Sequence, residues 1–109
     1  MVNIRNAYKE DKNKLIEFVI SMVGDSNPAE VAENVINDFF ENTKMNTFIM
    51  EMEGKIIGFF VLKEDPFEGA DYVAEIVWLK IDEPYQRKGY GNKAVKYLEK
   101  FASEKYIRK

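Results

Sequence analysis

Apolar residues recur along the chain with two spacings, one typical of helices and one typical of strands. Together these spacings predict helices set between short strands. The first helical pattern spans residues 10–23, with apolar positions at Leu15, Phe18, Val19 and Met22. The second spans residues 27–43, with an apolar stripe at Val31, Ala32, Val35, Ile36, Phe39 and Phe40. Asn27 can cap this helix, Pro28 suits its first position and Glu30 completes a capping box. Both helices are expected to cover a sheet with their apolar stripes.

Strand patterns occupy the start and the middle of the chain. Residues 2–7 predict a short first strand, and residues 47–64 predict a hairpin. The pair Glu53-Gly54 is the expected turn of that hairpin. Gly58 lies inside its second strand, which suggests a bulge or a close approach of another backbone.

After the hairpin the pattern changes from loop to strand and then to helix. Residues 64–71 are polar and predict a loop, and residues 72–82 predict a third long strand. The last helix is expected from about Gly91 to about Glu104. Its apolar seam is expected at Val95, Leu98 and Ala102, with Ala94, Tyr97 and Phe101 beside it. The order β-α-α-β-β-β-α predicts one α/β (α+β) domain over the whole chain, with helices covering a mostly antiparallel sheet.

Composition excludes several kinds of chemistry. The 109 residues include no cysteine and no histidine, which removes thiolate zinc sites, cysteine nucleophiles and histidine bases. The net charge is −3, which argues against a nucleic-acid partner. No apolar run is long enough to span a membrane and the N-terminus lacks a signal-peptide core, so a cytoplasmic location is expected.

A loop with two glycines and two cations stands just before the last helix. Gly89 and Gly91 flank Tyr90, and Arg87 and Lys88 precede them. Helix N-termini expose unpaired N–H groups, and glycines let the backbone approach a phosphate closely. The loop therefore predicts a site for a phosphate or a pyrophosphate. A tight turn without a ligand is the alternative, because many G-x-G sequences are only turns.

A carboxylate interrupts the apolar strand that leads into this loop. Strict alternation places Glu75 on one face with Val73, Val77, Leu79 and Ile81, and both faces of the strand are mostly apolar. Burial there would raise the pKa of Glu75 toward neutrality and make it a useful general base. Alternatively, Glu75 lies at a strand end or beside a lysine and has no catalytic role.

The run from Ala74 to Gly91 resembles the core motif of the GNAT superfamily of acetyl-CoA-dependent N-acetyltransferases. The family signature Q/R-x-x-G-x-G/A is matched by Gln86-Arg87-Lys88-Gly89-Tyr90-Gly91. The segment "AEIV" at 74–77 is similar to the histone acetyltransferase branch, in which the strand glutamate is the general base. That role maps onto Glu75.

The resemblance implies acetyl-CoA as cosubstrate, no metal, and direct attack by an amine without a covalent acyl-enzyme. The main chain of the strand would pair with the pantetheine arm, the loop N–H groups would hold the pyrophosphate, and Glu75 would take a proton through water. The cofactor-binding residues implied are Leu79, Lys80, Ile81, Gln86, Arg87, Lys88, Gly89, Tyr90, Gly91 and Asn92. The acceptor would be a small-molecule or peptide amine. The acidic residues of the 64–71 loop could attract a cationic amine; alternatively, they only form a solvated loop.

The chain departs from the family after the signature helix. Typical members continue with a strand, a helix and two more strands, and these often supply a tyrosine as general acid. Without them the strand at 72–82 becomes a sheet edge, and a homodimer that covers this edge is expected. The alternative function is a non-catalytic CoA-binding or protein-interaction module. Glu75 favours the enzyme, and the missing C-terminal elements favour the module.

Overall fold

The fold is known from a computed structural model, which describes residues 2–22, 28–42, 45–66 and 72–105. Its strands are β1 (Asn3–Asn6), β2 (Met45–Met52), β3 (Lys55–Pro66) and β4 (Tyr72–Ile81). Its helices are α1 (Lys12–Met22), α2 (Pro28–Glu41) and α3 (Tyr90–Lys105). Two short 3-10 turns, Lys9–Asp11 and Glu83–Tyr85, precede α1 and α3. The predicted order β-α-α-β-β-β-α is confirmed, whereas the 3-10 turns were not predicted.

The four strands form one antiparallel sheet in the order β1-β2-β3-β4. Within the described residues, β4 is therefore an edge strand, as predicted. The hairpin between β2 and β3 turns at Glu53 and Gly54, which have φ angles of 51° and 81°. Positive φ at both central residues is typical of a type I′ turn, whose twist matches that of the flanking strands.

The sheet has a separate apolar core on each face. On one face, α1 and α2 pack their predicted stripes against Ile49, Phe59 and Val61, and the rings of Phe18 and Phe59 stack 5.7 Å apart. On the other face, α3 packs on a cluster whose fully or nearly buried members are Phe48, Met50, Ile57, Phe60, Leu62 and Ala94. The rings of Phe48 and Tyr97 lie 4.8 Å apart there. Helices cover both faces, so the sheet is the middle layer of the domain.

The apolar seam of α3 differs from the prediction. Ala94 is buried, and Tyr97, Leu98 and Phe101 pack beside it, while Val95 remains 45% exposed. These four packed residues follow the i, i+3, i+4, i+7 spacing of one helix face, so Val95 lies outside that face. The side chain of Ala102 lies outside the described residues.

Several smaller predictions were wrong or fall outside the described part of the chain. Met22 was expected on the apolar stripe of α1, but it is 37% exposed at the end of the helix. Strand β3 extends to Pro66, three residues into the predicted loop, because it keeps pairing with β4. The cap at Asn27 and residues 67–71 lie outside the described residues.

Gly58 allows two backbones to approach closely. The β2–β3 pairing shifts by one residue beside Gly58, which is the expected bulge. A Cβ atom at Gly58 would lie 2.5 Å from the backbone oxygen of Lys80, so only glycine fits without a shift of β3 or β4. Both readings of this glycine are confirmed.

A second bulge, in β4, was not predicted. Ile76 pairs with Leu62 and Trp78 pairs with Val61, so Val77 is an extra residue without a partner of its own in β3. Paired residues lie on the same face of a sheet. The bulge therefore reverses the alternation of faces along β4.

An ion-pair cluster joins the start of the chain to the sheet. Arg5 forms two hydrogen bonds with the buried Asp11, of 2.9 and 3.0 Å, and a salt bridge of 3.2 Å with Glu51. The backbone N–H of Tyr8 also donates to Asp11, at 2.7 Å. These contacts, led by the guanidinium of Arg5, lower the pKa of Asp11.

Candidate functional site

A groove of about 470 Å³ lies between the end of β4 and the start of α3, and we call it the β4–α3 groove. It is lined by residues from β4, from the loop and from the first turns of α3. They are Leu79, Ile81, Tyr85, Gln86, Arg87, Gly89, Tyr90, Gly91, Asn92 and Val95.

The loop between β4 and α3 is anchored at both ends of its first turn. The carboxylate of Asp82 accepts a hydrogen bond of 3.1 Å from the N–H of Glu83, which caps the 3-10 turn. The side-chain amide of Gln86 donates to the backbone oxygen of Ile81 at 2.8 Å. Gln86 thus ties the signature loop back to the end of β4, so its side chain supports the loop conformation.

Positive φ angles shape the second half of the loop. Arg87 has φ 65° and Gly89 has φ 84°, and the chain enters α3 at Tyr90. Left-handed residues bend the backbone sharply, and neighbouring N–H groups of such turns can point at one anion. Gly89 meets a conformational need, because a side chain at this φ would be strained even though the space around it is open.

The electrostatics of the loop favour a negatively charged ligand. The first N–H groups of a helix have no partner within the helix, and they carry partial positive charge. The first turn of α3 contains no acidic residue, and Lys93 lies within it. Arg87 lines the groove and Lys88 beside it is exposed. This end of the groove can therefore hold a phosphate or a pyrophosphate.

The other part of the groove is apolar. Leu79, Ile81 and Val95 line it, and a Cβ atom at Gly91 would lie 3.8 Å from the side chain of Leu79. Since β4 is a sheet edge, its outward N–H and C=O groups are available to a ligand beside the groove. The site thus suits an elongated molecule with an anionic end and an arm that can pair with a backbone.

The structure brings together most of the residues that the sequence assigned to cofactor binding. Leu79, Ile81, Gln86 and the loop residues share the groove, but Lys88 is not among the lining residues. Lys80 points to the opposite face and lines a pocket of about 260 Å³ beside α1, with Lys14 and Ser21. Only the main chain of Lys80 can serve the groove.

Two lining residues, Tyr85 and Val95, were missed by the sequence prediction. Tyr85 belongs to a 3-10 turn that has no apolar period, and no sequence signal pointed to it. Val95 could have been predicted as a lining residue. If the apolar seam of α3 runs through Ala94, Tyr97 and Leu98, position 95 lies beside that seam and not on it.

Glu75 does not have the environment expected for it. The carboxylate is exposed, because no strand covers the outer side of β4 within the described residues. Glu75 pairs with Lys63, so it lies on the α1–α2 face, whereas Leu79 pairs with Phe60 on the α3 face. The prediction that Glu75 and Leu79 share a face was wrong because the bulge at Val77 intervenes. Their partners Lys63 and Phe60 are three positions apart on β3, so Glu75 and Leu79 are about 10 Å apart along the strand.

In the described part of the chain, no helix has the length and apolar character that crossing a bilayer requires. No group of three or more acidic, histidine or cysteine residues there could hold a metal ion.

The family model for the Acetyltransferase (GNAT) family matches residues 4–109. The chain therefore belongs to this family of acetyltransferases. None of the curated proteins matches the chain significantly.

Solved structures share the fold at low sequence identity. A possible acetyltransferase from Clostridium difficile 630 has a TM-score of 0.79 and 15% identity, over 93% of this chain and 70% of that one. A predicted acetyltransferase from Clostridium acetobutylicum, solved with acetyl-CoA, has a TM-score of 0.73 and 17% identity, over 100% and 78%. AAC(6')-Iy, solved with the bisubstrate analog CoA-S-monomethyl-acetylneamine, has a TM-score of 0.74 and 15% identity, over 96% and 74%.

Proposed function

We propose that the protein is an N-acetyltransferase that transfers the acetyl group of acetyl-CoA to an amine. One observation carries the proposal: an apolar groove along a free strand edge ends at a cationic glycine loop and the N-terminus of α3. Acetyl-CoA has the matching chemistry, since its pantetheine arm carries amides and its nucleotide carries a pyrophosphate. Membership of the family and the acetyl-CoA bound to a similar structure support the same cosubstrate.

In this proposal the pyrophosphate binds the N–H groups of residues 87–92 and the side chain of Arg87. The pantetheine arm lies along Leu79–Ile81 and pairs with their main chain as an added strand would. Gln86 holds the loop through its hydrogen bond to Ile81 and also lines the groove beside the cosubstrate. Lys88 contributes long-range attraction from outside the groove.

Glu75 acts as the general base through a bridging water. It takes a proton from the ammonium form of the acceptor, and the nitrogen lone pair then attacks the thioester carbonyl carbon. The C–N bond forms as the C–S bond breaks, and the proton that the nitrogen then loses passes through solvent to the leaving CoA thiolate, so that CoA departs as the thiol. Because Glu75 and Leu79 lie on opposite faces of β4, the amine approaches from the α1–α2 face while the cosubstrate lies on the α3 face.

The acceptor is proposed to be a small-molecule or peptide amine. Two of the similar structures, meta-AAC0020 from an uncultured soil metagenomic sample and AAC(6')-IG from Acinetobacter haemolyticus, are aminoglycoside acetyltransferases, which supports a small-molecule amine as acceptor. The exposed position of Glu75 leaves room for such a molecule beside β4.

The β4 edge is also proposed to bind a second copy of the chain. The exposed apolar side chain of Val77 lies on this edge, next to unpaired backbone groups. A homodimer would cover residues 72–78 and leave residues 79–81 for the cosubstrate.

A second candidate function is a CoA-binding module without catalysis. The exposure of Glu75 favours it, because a carboxylate that is open to solvent is not enclosed with the reacting groups in a site that excludes water. The groove and loop would then act in binding alone.

Calorimetric titration of the chain with acetyl-CoA tests the proposal, with ATP as a control that also carries phosphates. We expect micromolar binding of acetyl-CoA and at least tenfold weaker binding of ATP, since ATP has no pantetheine arm. Thiol release in the presence of an amine panel then separates enzyme from module. Absence of acetyl-CoA binding would remove both functions.

A further inference from the structure

The wall of the β4–α3 groove includes a tyrosine that is covered by a lysine. Tyr85 lines the groove and packs against the apolar core beneath α3. The ammonium of Lys55 lies over the ring of Tyr85, 5.6 Å from its centroid. A cation held over an aromatic face at this distance is attracted by the ring quadrupole. Lys55 is therefore held next to the groove by a residue that forms part of it.

The position of Lys55 is fixed by its own backbone. It is the first residue of β3, directly after the type I′ turn, and it pairs with Met52. The N–H of Asp82 donates to the backbone oxygen of Ile57 at 2.8 Å, which ties this end of β3 to the start of the loop. A backbone hydrogen bond therefore joins the start of the groove loop to the strand that carries Lys55.

The charge of Lys55 is available to a ligand. Within the described residues, no carboxylate lies within 4.0 Å of its ammonium, and the side chain is exposed. By contrast, Arg5 and Lys14 are both paired with acidic residues. An unneutralised cation at the rim of an anion-binding groove adds a second centre of positive charge, separate from the helix N-terminus.

We infer that Lys55, held over Tyr85, recognises the 3′-phosphate of acetyl-CoA. This inference rests on the proposed function. Acetyl-CoA carries two separate anionic centres, a pyrophosphate and a phosphomonoester on the ribose. The phosphomonoester has a charge of about −1.5 to −2 at neutral pH, as phosphorylated side chains do. The glycine loop takes the first centre, and Lys55 is the cation placed to take the second.

The test compares acetyl-CoA with its 3′-dephospho form by calorimetric titration. We expect the unchanged protein to bind acetyl-CoA on the order of tenfold more tightly than the dephospho form. The variant Lys55→Met should lose most of this preference and bind the dephospho form as before. Lys55→Arg should retain the preference, because it keeps both the charge and the ring contact.

Lys100→Met is the matched control, since it removes one exposed lysine about 15 Å along α3 from its first turn. It should leave the preference unchanged. Equal binding of the two ligands by the unchanged protein would overturn the inference while leaving the proposed function standing. A preference that survives in Lys55→Met would also overturn it. If neither ligand binds the unchanged protein, the proposed function itself fails.

Discussion

Two glycines of the signature loop have different physical roles. Gly89 provides a positive φ, whereas Gly91 leaves open space in the β4–α3 groove, where a Cβ atom would lie 3.8 Å from Leu79. At the scale of single residues, we therefore expect a change at Gly89 to affect the conformation of the loop and a change at Gly91 to affect binding.

Gly91→Val tests the role of space. A valine there would fill the groove next to Leu79, without a positive φ to strain the backbone. We expect acetyl-CoA affinity to fall at least tenfold and the melting temperature to change little, measured by calorimetry and thermal unfolding. The control is Gly54→Ala in the hairpin turn, which should cost about 1 kcal/mol of unfolding free energy and leave affinity unchanged. An affinity of Gly91→Val equal to that of the unchanged chain would contradict the proposed groove.

Glu75→Gln tests the proposed base. Glu75 is exposed on the face opposite the groove, so acetyl-CoA affinity should stay the same. The rate of acetyl transfer should fall about 10²- to 10⁴-fold, which is the usual contribution of a general base. Glu99→Gln, an exposed carboxylate on α3, is the control and should transfer at the normal rate. Normal turnover by Glu75→Gln would assign the base elsewhere.

At the scale of elements, the Arg5–Asp11 pair links β1 to the turn before α1, and Glu51 extends the link to β2. Asp11 is buried, and its carboxylate is satisfied by the guanidinium and by the N–H of Tyr8. Removing its charge would leave Arg5 with one acidic partner in place of two.

We expect Asp11→Asn to lower the unfolding free energy by about 1.5–3 kcal/mol at pH 7, the usual contribution of hydrogen bonds to charged groups. Because the pKa of Asp11 is lowered in the folded state, its contribution is fully present above the ordinary aspartate pKa. The contribution is lost as pH falls below about 3.9 and through the folded value. Urea unfolding at pH 7 and at pH 3 should therefore show a smaller difference between variant and parent at the lower pH. An equal difference at both values would argue against this ion pair.

At the scale of the whole molecule, the edge of β4, which no other strand covers within the described residues, is the surface where we propose that a second copy of the chain binds. We expect light scattering to find a dimer, and Val77→Lys to shift it toward monomer, because lysine on an edge strand opposes pairing. Met22→Lys changes an equally exposed apolar residue on α1 and should leave the dimer intact. A monomer at all concentrations would rule out the proposed edge-to-edge assembly.

The features that depend on local sequence could be predicted, and those that depend on how one strand pairs with its neighbour could not. The Glu53-Gly54 turn and the glycine loop follow from backbone preferences of a few residues, and the structure has both in their expected places. The bulge at Val77 depends on how β4 pairs with β3, which the sequence of β4 does not contain. The expected burial of Glu75 likewise assumed a neighbouring strand and regular alternation.

The bulge at Val77 also changes which spacings along β4 place two side chains on opposite faces of the sheet. In a regular strand, two side chains point to opposite faces only when an odd number of positions separates them. Glu75 and Leu79 are four positions apart and still lie on opposite faces, because the extra residue adds one to the count. A related strand that lacks the bulged residue alternates regularly. Its carboxylate would therefore have to be an odd number of positions from the groove residues to lie on the opposite face from them. Comparing sequences by a fixed offset from the glycine loop would therefore match Glu75 with a residue on the other face wherever the bulge is absent.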